Sequence, residues 1–305
     1  MAALAAGKHV YCEKPLAMTF AEGQTILETA KSQGLLVGCA PDTFMGAGLQ
    51  TCRQAIDTGK IGRPLAVTAN LVCHGHEAWY PAPEFYYKKG AGPMMDMGPY
   101  YLTAMVSLLG PIKRTTCFAG CAFDQRIITS TSPLKGKVID VEVLTHYAGL
   151  IEFASGVIAN INMSFDVWQS NLPGLEIHGT EGSMILPDPN WFDGSVKVLR
   201  GQDMLDAVDG LPVDAAVEKF YSPEIKAMFR EVPPAFPSSH NLRGLGVADM
   251  AAALTEGRQP RASGELACHV LEALTSFNFT AQEGGTYVMQ STCQRPIANF
   301  DQPAL

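Results

Sequence analysis

Apolar and polar positions change period near residue 113, and the change divides the chain into two kinds of structure. Residues 2–7 read as the last turns of a helix ended by Gly7, a usual residue just past a helix C-terminus. A strand over 9–12, a helix over 19–33 ended by Gly34, and a strand over 35–39 follow, with Thr19 and Glu22 spaced as a capping box. This β-α-β alternation implies parallel strands joined by a crossover helix. The segment from Pro41 to Gly48 connects to a helix over 49–58, closed by Thr58-Gly59, and Ile61-Gly62-Arg63-Pro64 turns into a strand over 65–73. Residues 74–93 form a loop rich in aromatics, prolines and glycines, and loops of that length without structure of their own tend to be functional. A helix over 97–109 follows, with Pro99 in its first turn and Gly110 at its end.

Beyond 113 the pattern has period two, over 114–121, 139–146, 149–154, 157–165, 174–179, 182–186 and 195–200. Ala154-Ser155-Gly156 and Thr180-Glu181-Gly182 mark tight hairpins. The expectation is a large, mostly antiparallel sheet with one face free to pack on helices or another subunit. Residues 201–240 read as short helices and surface loop. Two helices, 243–257 and 263–283, follow, the second opened by Ser263 with Glu265 in its first turn. The tail from Gly284 is polar and expected to be extended. The fold class is α/β (α+β).

Composition narrows the classes of function. With 47% hydrophobic and 17% charged residues, the chain can build a core and is not of disordered composition. A formal charge of −8 argues against nucleic acid or an anionic membrane as partner. No apolar run approaches the roughly 20 residues that span a bilayer, and the N-terminus lacks the features of a signal peptide. The eight cysteines include no Cys-x-x-Cys pair; they read as reduced thiols in a cytoplasmic protein, with no structural zinc.

Three stretches carry candidate chemistry. Glu13-Lys14-Pro15 closes the first strand and precedes its crossover helix, and open α/β sheets bind their ligands at such carboxyl ends. Pro15 fixes the backbone there, and a surface ion pair is the plainer reading of the two charges. In the second stretch, glycine-rich backbone from Lys89 leads to Asp96 at a helix mouth, with Tyr100 four residues on and so on the same helix face; a cap and a core tyrosine are the plainer readings. The third is Cys73-His74-Gly75-His76-Glu77. His74 and His76 suit substrate hydroxyls or loop backbone better than a metal, and with Trp79 and Tyr80 beside them they suit a sugar ring, edges gripped and face stacked. Asp166, Trp168 and His178 lie on or after sheet strands and are further candidates for the same cleft.

Taken in order, Glu13-Lys14-Pro15, Asp57-Thr58-Gly59-Lys60-Ile61-Gly62 and Gly92 through Tyr100 resemble the Gfo/Idh/MocA oxidoreductase family over nearly the whole chain. The resemblance implies an NAD- or NADP-binding Rossmann domain joined to a C-terminal α/β domain that supplies the substrate site and, through its open sheet, a homo-oligomer interface. It also implies hydride transfer between nicotinamide and a carbinol carbon of a sugar, cyclitol or related polyol. By position it makes Lys14 the catalytic lysine, with Glu13, Lys14 and Pro15 on the cofactor side, and Asp96 the aspartate that positions substrate. Tyr100 stands where many members have a catalytic histidine, which leaves the general base open between Tyr100 and Lys14. A tyrosine with an ordinary pKa near 10 serves as a base only if a nearby cation such as Lys14 favours its phenolate. His74, His76, Trp79, Asp166 and Trp168 become the substrate-binding candidates.

No Gly-x-Gly-x-x-Gly occurs in these residues, so the pyrophosphate fingerprint is missing. The expected organisation is a C-terminal remnant of the Rossmann domain over 1–45, the substrate and oligomerisation domain over 46–290, and an extended tail over 291–305. A remnant of this kind is expected to expose apolar surface around 9–12 and 35–39 and to associate or dissolve poorly. Two other functions fit the same pattern: a non-enzymatic carbohydrate-binding or oligomeric scaffold, and a glycoside-cleaving enzyme that uses NAD for transient oxidation.

Overall fold

The computed structural model describes residues 1–298. The elements run α1 (Ala2–Ala5), β1 (Val10–Cys12), α2 (Phe20–Ser32), β2 (Val37–Cys39), α3 (Ala47–Asp57), β3 (Pro64–Val72), α4 (Pro93–Asp96), α5 (Gly98–Leu109), β4 (Ile112–Gly120), β5 (Gln125–Ile127), β6 (Val138–Asp140), β7 (His146–Phe153), β8 (Ile158–Ser164), β9 (Leu175–Gly179), β10 (Gly182–Ile185) and β11 (Val196–Arg200). They continue with α6 (Gly201–Val208), α7 (Val213–Phe220), α8 (Pro223–Lys226), β12 (Arg230–Val232), α9 (Leu245–Glu256), α10 (Gly264–Glu283) and β13 (Tyr287–Val288).

β1 and β2 pair in parallel, with α2 as the crossover. The capping box expected of Thr19 forms: its side chain accepts from Glu22 N–H, and the Glu22 carboxylate accepts from Thr19 N–H at 3.0 Å. β2 is buried and β1 half-buried, not the exposed apolar surface expected of both. The reason is tertiary: α9 and α10 lie against β2, and Val37 and Cys39 join the main core.

The second sheet has nine strands in the order β12-β11-β10-β9-β3-β8-β7-β4-β13. Only β3 and β8 in this sheet pair in parallel; the other neighbours are antiparallel. One face packs on α10, where Phe277 is fully buried, a burial that contributes about 1.5–3 kcal/mol. α5 lies beneath with all twelve of its residues buried, as its nearly all-apolar composition requires. The opposite face carries polar ladders, Thr68 to Asn160 at 3.1 Å and Asn162 to Asn70 at 2.8 Å. That face also presents Phe118, Leu150 and Ile158, exposed by 89%, 51% and 57%.

Three local expectations change. The runs 139–146 and 149–154 are not two long strands. Residues 138–140 form a short hairpin with 125–127, and 146–153 is one continuous strand through Gly149. That glycine is a close approach in the fold: a Cβ there would lie 2.7 Å from the Phe277 ring. Loop 74–93 contains a 3-10 turn at Pro83–Tyr87 and runs into α4 at Pro93. The tail is not free along its length: Tyr287–Val288 adds a strand to β4, and Arg295 reaches Ser107 O at 3.1 Å and Asp57 at 2.8 Å. Residues 299–305 of the expected tail lie outside the described residues.

Candidate active site

The backbone places the candidate site before any side chain does. Lys14 leaves the carboxyl end of β1, and the Lys14–Pro15 peptide is cis. Asp96 ends α4, whose entry residue Gly92 has φ +88°. A side chain at 92 would be strained at that φ and would stand 2.9 Å from Leu144 O. Tyr100 follows in the first turn of the buried α5.

The two motifs, 82 residues apart in sequence, meet. Lys14 Nζ donates to Asp96 Oδ1 at 2.8 Å and also to the Asp96 carbonyl. The same ammonium stands 5.2 Å from the centre of the Tyr100 ring, within cation–π range. The lysine and aspartate side chains are only 15% and 19% exposed, so the pair is held in a partly desolvated setting where its attraction is stronger than in water. Glu13 takes no part: its exposed carboxylate accepts from Lys14 N–H at 3.1 Å.

His76 completes the group. Its Nε2 lies 4.0 Å from Asp96 Oδ2, longer than a hydrogen bond. Its ring stacks on Tyr86 at 3.8 Å and meets Phe165 edge-on at 4.6 Å. Burial pushes the imidazole below its ordinary pKa, with Asp96 acting against that shift, so His76 is neutral near pH 7. Its Nδ1 is buried with no hydrogen-bond partner among the described residues. Trp79 lies 5.1 Å from the His76 ring and is 57% exposed, an open aromatic face at the edge of the group.

The other sequence candidates assemble beside this group. His74 stacks on Trp168 at 3.5 Å, and its Nδ1 is 3.3 Å from Asp166 O. The Asp166 carboxylate is engaged by Arg126, by the Thr145 hydroxyl at 2.7 Å and by Ala122 N–H at 3.2 Å. His178 is separate, bonded to Ser183 Oγ at 2.9 Å across β9 and β10. Among the described residues no group of three or more His, Cys, Asp and Glu is arranged to hold a metal.

Sequence reasoning missed two arginines. Arg126 is buried and bridges Glu77, at 3.0 Å, to Asp166, while Tyr87 donates its hydroxyl to the other Glu77 oxygen. This network ties the 74–92 loop to the end of β8 and so fixes His76. Arg243 reaches Tyr100 Oη at 3.5 Å and Asn190 at 3.2 Å. Neither arginine sits in a motif, and only long-range folding brings them here. A wide cleft of about 960 Å³ near Lys60, Arg200, Leu205 and Phe220 includes none of Lys14, His76, Asp96 and Tyr100.

Residues 1–40 match the family model described as an oxidoreductase family with an NAD-binding Rossmann fold, and residues 49–185 match the GFO/IDH/MocA C-terminal domain. The chain is 31% identical over 189 residues to a 1,5-anhydro-D-fructose reductase of Ensifer adhaerens, covering 61% of this chain and 51% of that protein. It is 25% identical over 205 residues to a levoglucosan dehydrogenase of Pseudarthrobacter phenanthrenivorans, covering 61% and 50%. It thus spans about half the length of these relatives in the matched region. Among solved structures, a levoglucosan dehydrogenase in its apo form superposes with a TM-score of 0.73 at 19% identity, over 96% of this chain and 76% of that one. An NAD-binding oxidoreductase from Klebsiella pneumoniae superposes with a TM-score of 0.70 at 22% identity, over 94% and 75%. These superpositions show a shared fold. No helix of the described residues is long and apolar enough to cross a membrane.

Proposed function

The chain belongs to the GFO/IDH/MocA oxidoreductase family, and on that premise we propose an NAD(P)-dependent oxidoreductase acting on a carbinol carbon of a sugar, cyclitol or related polyol. The observation that carries the reading is the meeting of Lys14 with Asp96 and Tyr100. The names of the relatives, a reductase and a dehydrogenase of anhydrosugars, support the substrate class. The family matches over 1–40 and 49–185 support a division near residue 45, between cofactor-side and substrate-side parts.

Oxidation of an alcohol carbon requires its hydroxyl to lose a proton as the hydride leaves, so a base must reach that oxygen. Lys14 and the Tyr100 hydroxyl are the groups placed for this transfer, and neutral His76 is a third group within the same cluster. Asp96 balances the lysine's charge and holds it by two hydrogen bonds. Its second oxygen, near His76, is available to a neighbouring hydroxyl. Trp79 and the His74–Trp168 stack offer apolar faces to a pyranose ring. NAD(P), when bound, supplies the hydride acceptor or donor. The residues present fit its nicotinamide end, at the carboxyl end of β1, whereas no Gly-x-Gly-x-x-Gly turn is present to take its diphosphate. The exposed apolar residues on the outer face of the nine-stranded sheet support a homo-oligomer built through that face.

The test is nicotinamide fluorescence titration, followed by turnover of aldoses, anhydrosugars and inositols with NAD⁺ and with NADP⁺. Saturable NAD(H) binding and oxidation of at least one polyol class are expected. No binding of either nicotinamide overturns the reading in favour of a carbohydrate-binding module. Aglycone release from a glycoside with no net change in NADH overturns it in favour of glycoside cleavage.

A further inference from the structure

Cys12 closes β1, Cys39 closes β2, and the two are direct register partners of the parallel pair. Neighbouring strands lie about 4.8 Å apart, inside the Cα separation of about 4.4–6.8 Å that a disulfide spans. Paired positions of a ladder project to the same side of a sheet, and each thiol donates to a backbone carbonyl of the other's segment, Cys12 Sγ to Gly38 O at 3.8 Å and Cys39 Sγ to Glu13 O at 3.5 Å. Cys39 is buried, whereas Cys12 is half-buried and open to a small solute. The pair adjoins the candidate site: Cys39 Sγ donates to Glu13 O at 3.5 Å, and Cys12 O accepts from Ala40 N–H at 2.9 Å. Cys117, also on a strand, faces Gly149 instead, and Cys121 is exposed, its Sγ donating to Phe123 O at 3.2 Å.

The neighbouring Cys39 side chain holds the Cys12 thiol below its ordinary range, against the opposing effect of burial. The neighbouring Cys12, together with burial, raises Cys39. A thiolate is the nucleophile in sulfur chemistry and must be reached by its oxidant, and the greater exposure of Cys12 assigns it the attacking role and buried Cys39 the resolving one.

We propose that Cys12 and Cys39 form a redox modification site, which a hydroperoxide oxidises reversibly to a disulfide across β1 and β2, two residues before Lys14. The Cys12 thiolate attacks a peroxide oxygen; an S–O bond forms, the O–O bond breaks, and Cys12 becomes a sulfenic acid as one water leaves. Cys39 sulfur then attacks the sulfenic sulfur; the S–S bond forms, the S–O bond breaks, and the Cys39 proton departs with the second water. Two thiols and one hydrogen peroxide give one disulfide and two waters, the sulfurs losing two electrons and the peroxide gaining them. Drawing the two sulfurs together removes the thiol donor from Glu13 O and shifts the segment that aims Lys14 at Asp96. Only the consequence for turnover rests on the oxidoreductase reading, and the thiol chemistry is measured without it.

The experiment treats the protein with equimolar hydrogen peroxide, alkylates the remaining thiols, and maps the peptides by mass spectrometry. A Cys12–Cys39 cross-linked peptide that forms before Cys121 is consumed, and that dithiothreitol reverses, is expected. Cys39→Ser should stop at a Cys12 sulfenic acid trapped by dimedone. In Cys12→Ser, a change at the less buried position, Cys39 should stay alkylatable at a dose that oxidises Cys121. Oxidation of Cys121 ahead of Cys12, a Cys39 that stays free once wild-type Cys12 is oxidised, or loss of Cys39 at the wild-type rate in Cys12→Ser overturns the proposal. Hydrogen exchange over residues 9–16 should change at least twofold between reduced and oxidised protein, and an unchanged segment overturns the coupling to Lys14.

Discussion

Replacing Arg126 by methionine removes a guanidinium whose side chain is 3% exposed, between two carboxylates that are 9% and 7% exposed. The arginine donates to Glu77, to Phe165 O at 3.0 Å, to His74 O at 3.4 Å and to Asp166. Breaking a buried ion pair from one side leaves an uncompensated charge and costs about 3–5 kcal/mol. Two smaller effects act in opposite directions. The guanidinium lies 4.5 Å from the Phe123 ring centre, a contact whose loss adds about 0.5–1 kcal/mol. Its Nε is buried without a partner among the described residues, and removing that unpaired donor returns about 1 kcal/mol. The net expectation stays at about 3–5 kcal/mol, a large share of the roughly 5–15 kcal/mol that holds a typical domain folded. Urea unfolding followed by tryptophan fluorescence and circular dichroism measures it, and the triple change Arg126→Met, Glu77→Gln, Asp166→Asn should recover most of the loss. A single-variant loss below about 1 kcal/mol, with an unchanged denaturant slope, would refute the claim that this network holds the 74–92 loop.

Three further outcomes are expected. Lys14→Ala should reduce turnover at least about 10²-fold in a protein that still folds, and activity within a few-fold of the parent would sink the catalytic assignment. His269 is fully buried, its Nε2 accepting from Ile112 N–H at 2.9 Å, and burial holds its pKa below the ordinary value. The unfolded chain therefore takes the proton first: stability is full above about pH 6.5 and falls as pH drops from there toward the folded-state pKa. His269→Gln should flatten that fall in denaturation series from pH 7 to pH 5, and equal slopes would rule the linkage out. Phe118→Glu, on the outer sheet face, should shift light-scattering mass toward smaller species, and an unchanged mass would exclude that face as the interface.

Much of the fold was legible from residue order because its cues are local. Thr19 and Glu22 cap α2, Ser263 caps α10 through Leu266 N–H, and the turns at 154–156 and 180–182 close hairpins, all through side chains within a few positions of the backbone they serve. Strand continuity at Gly149 was not legible, since the ring that requires a glycine there comes from Phe277. Burial of β2 was not legible either, because α9 and α10 supply it from more than 200 residues away.

The candidate site divides along the same line. Lys14, Asp96, Tyr100 and His76 could be named from their motifs, since each motif places its residue at a strand end, helix mouth or loop. Sequence alone set the kinds of group available, a lysine at a strand's carboxyl end and an aspartate four residues before a tyrosine. Only the tertiary structure decided that Lys14 turns to Asp96, that His76 is buried neutral against Tyr86, and that Arg126 and Arg243 stand behind them. The physical reason is range: capping, turn formation and alternation act over a few residues, whereas burial and charge pairing depend on whatever the fold brings near.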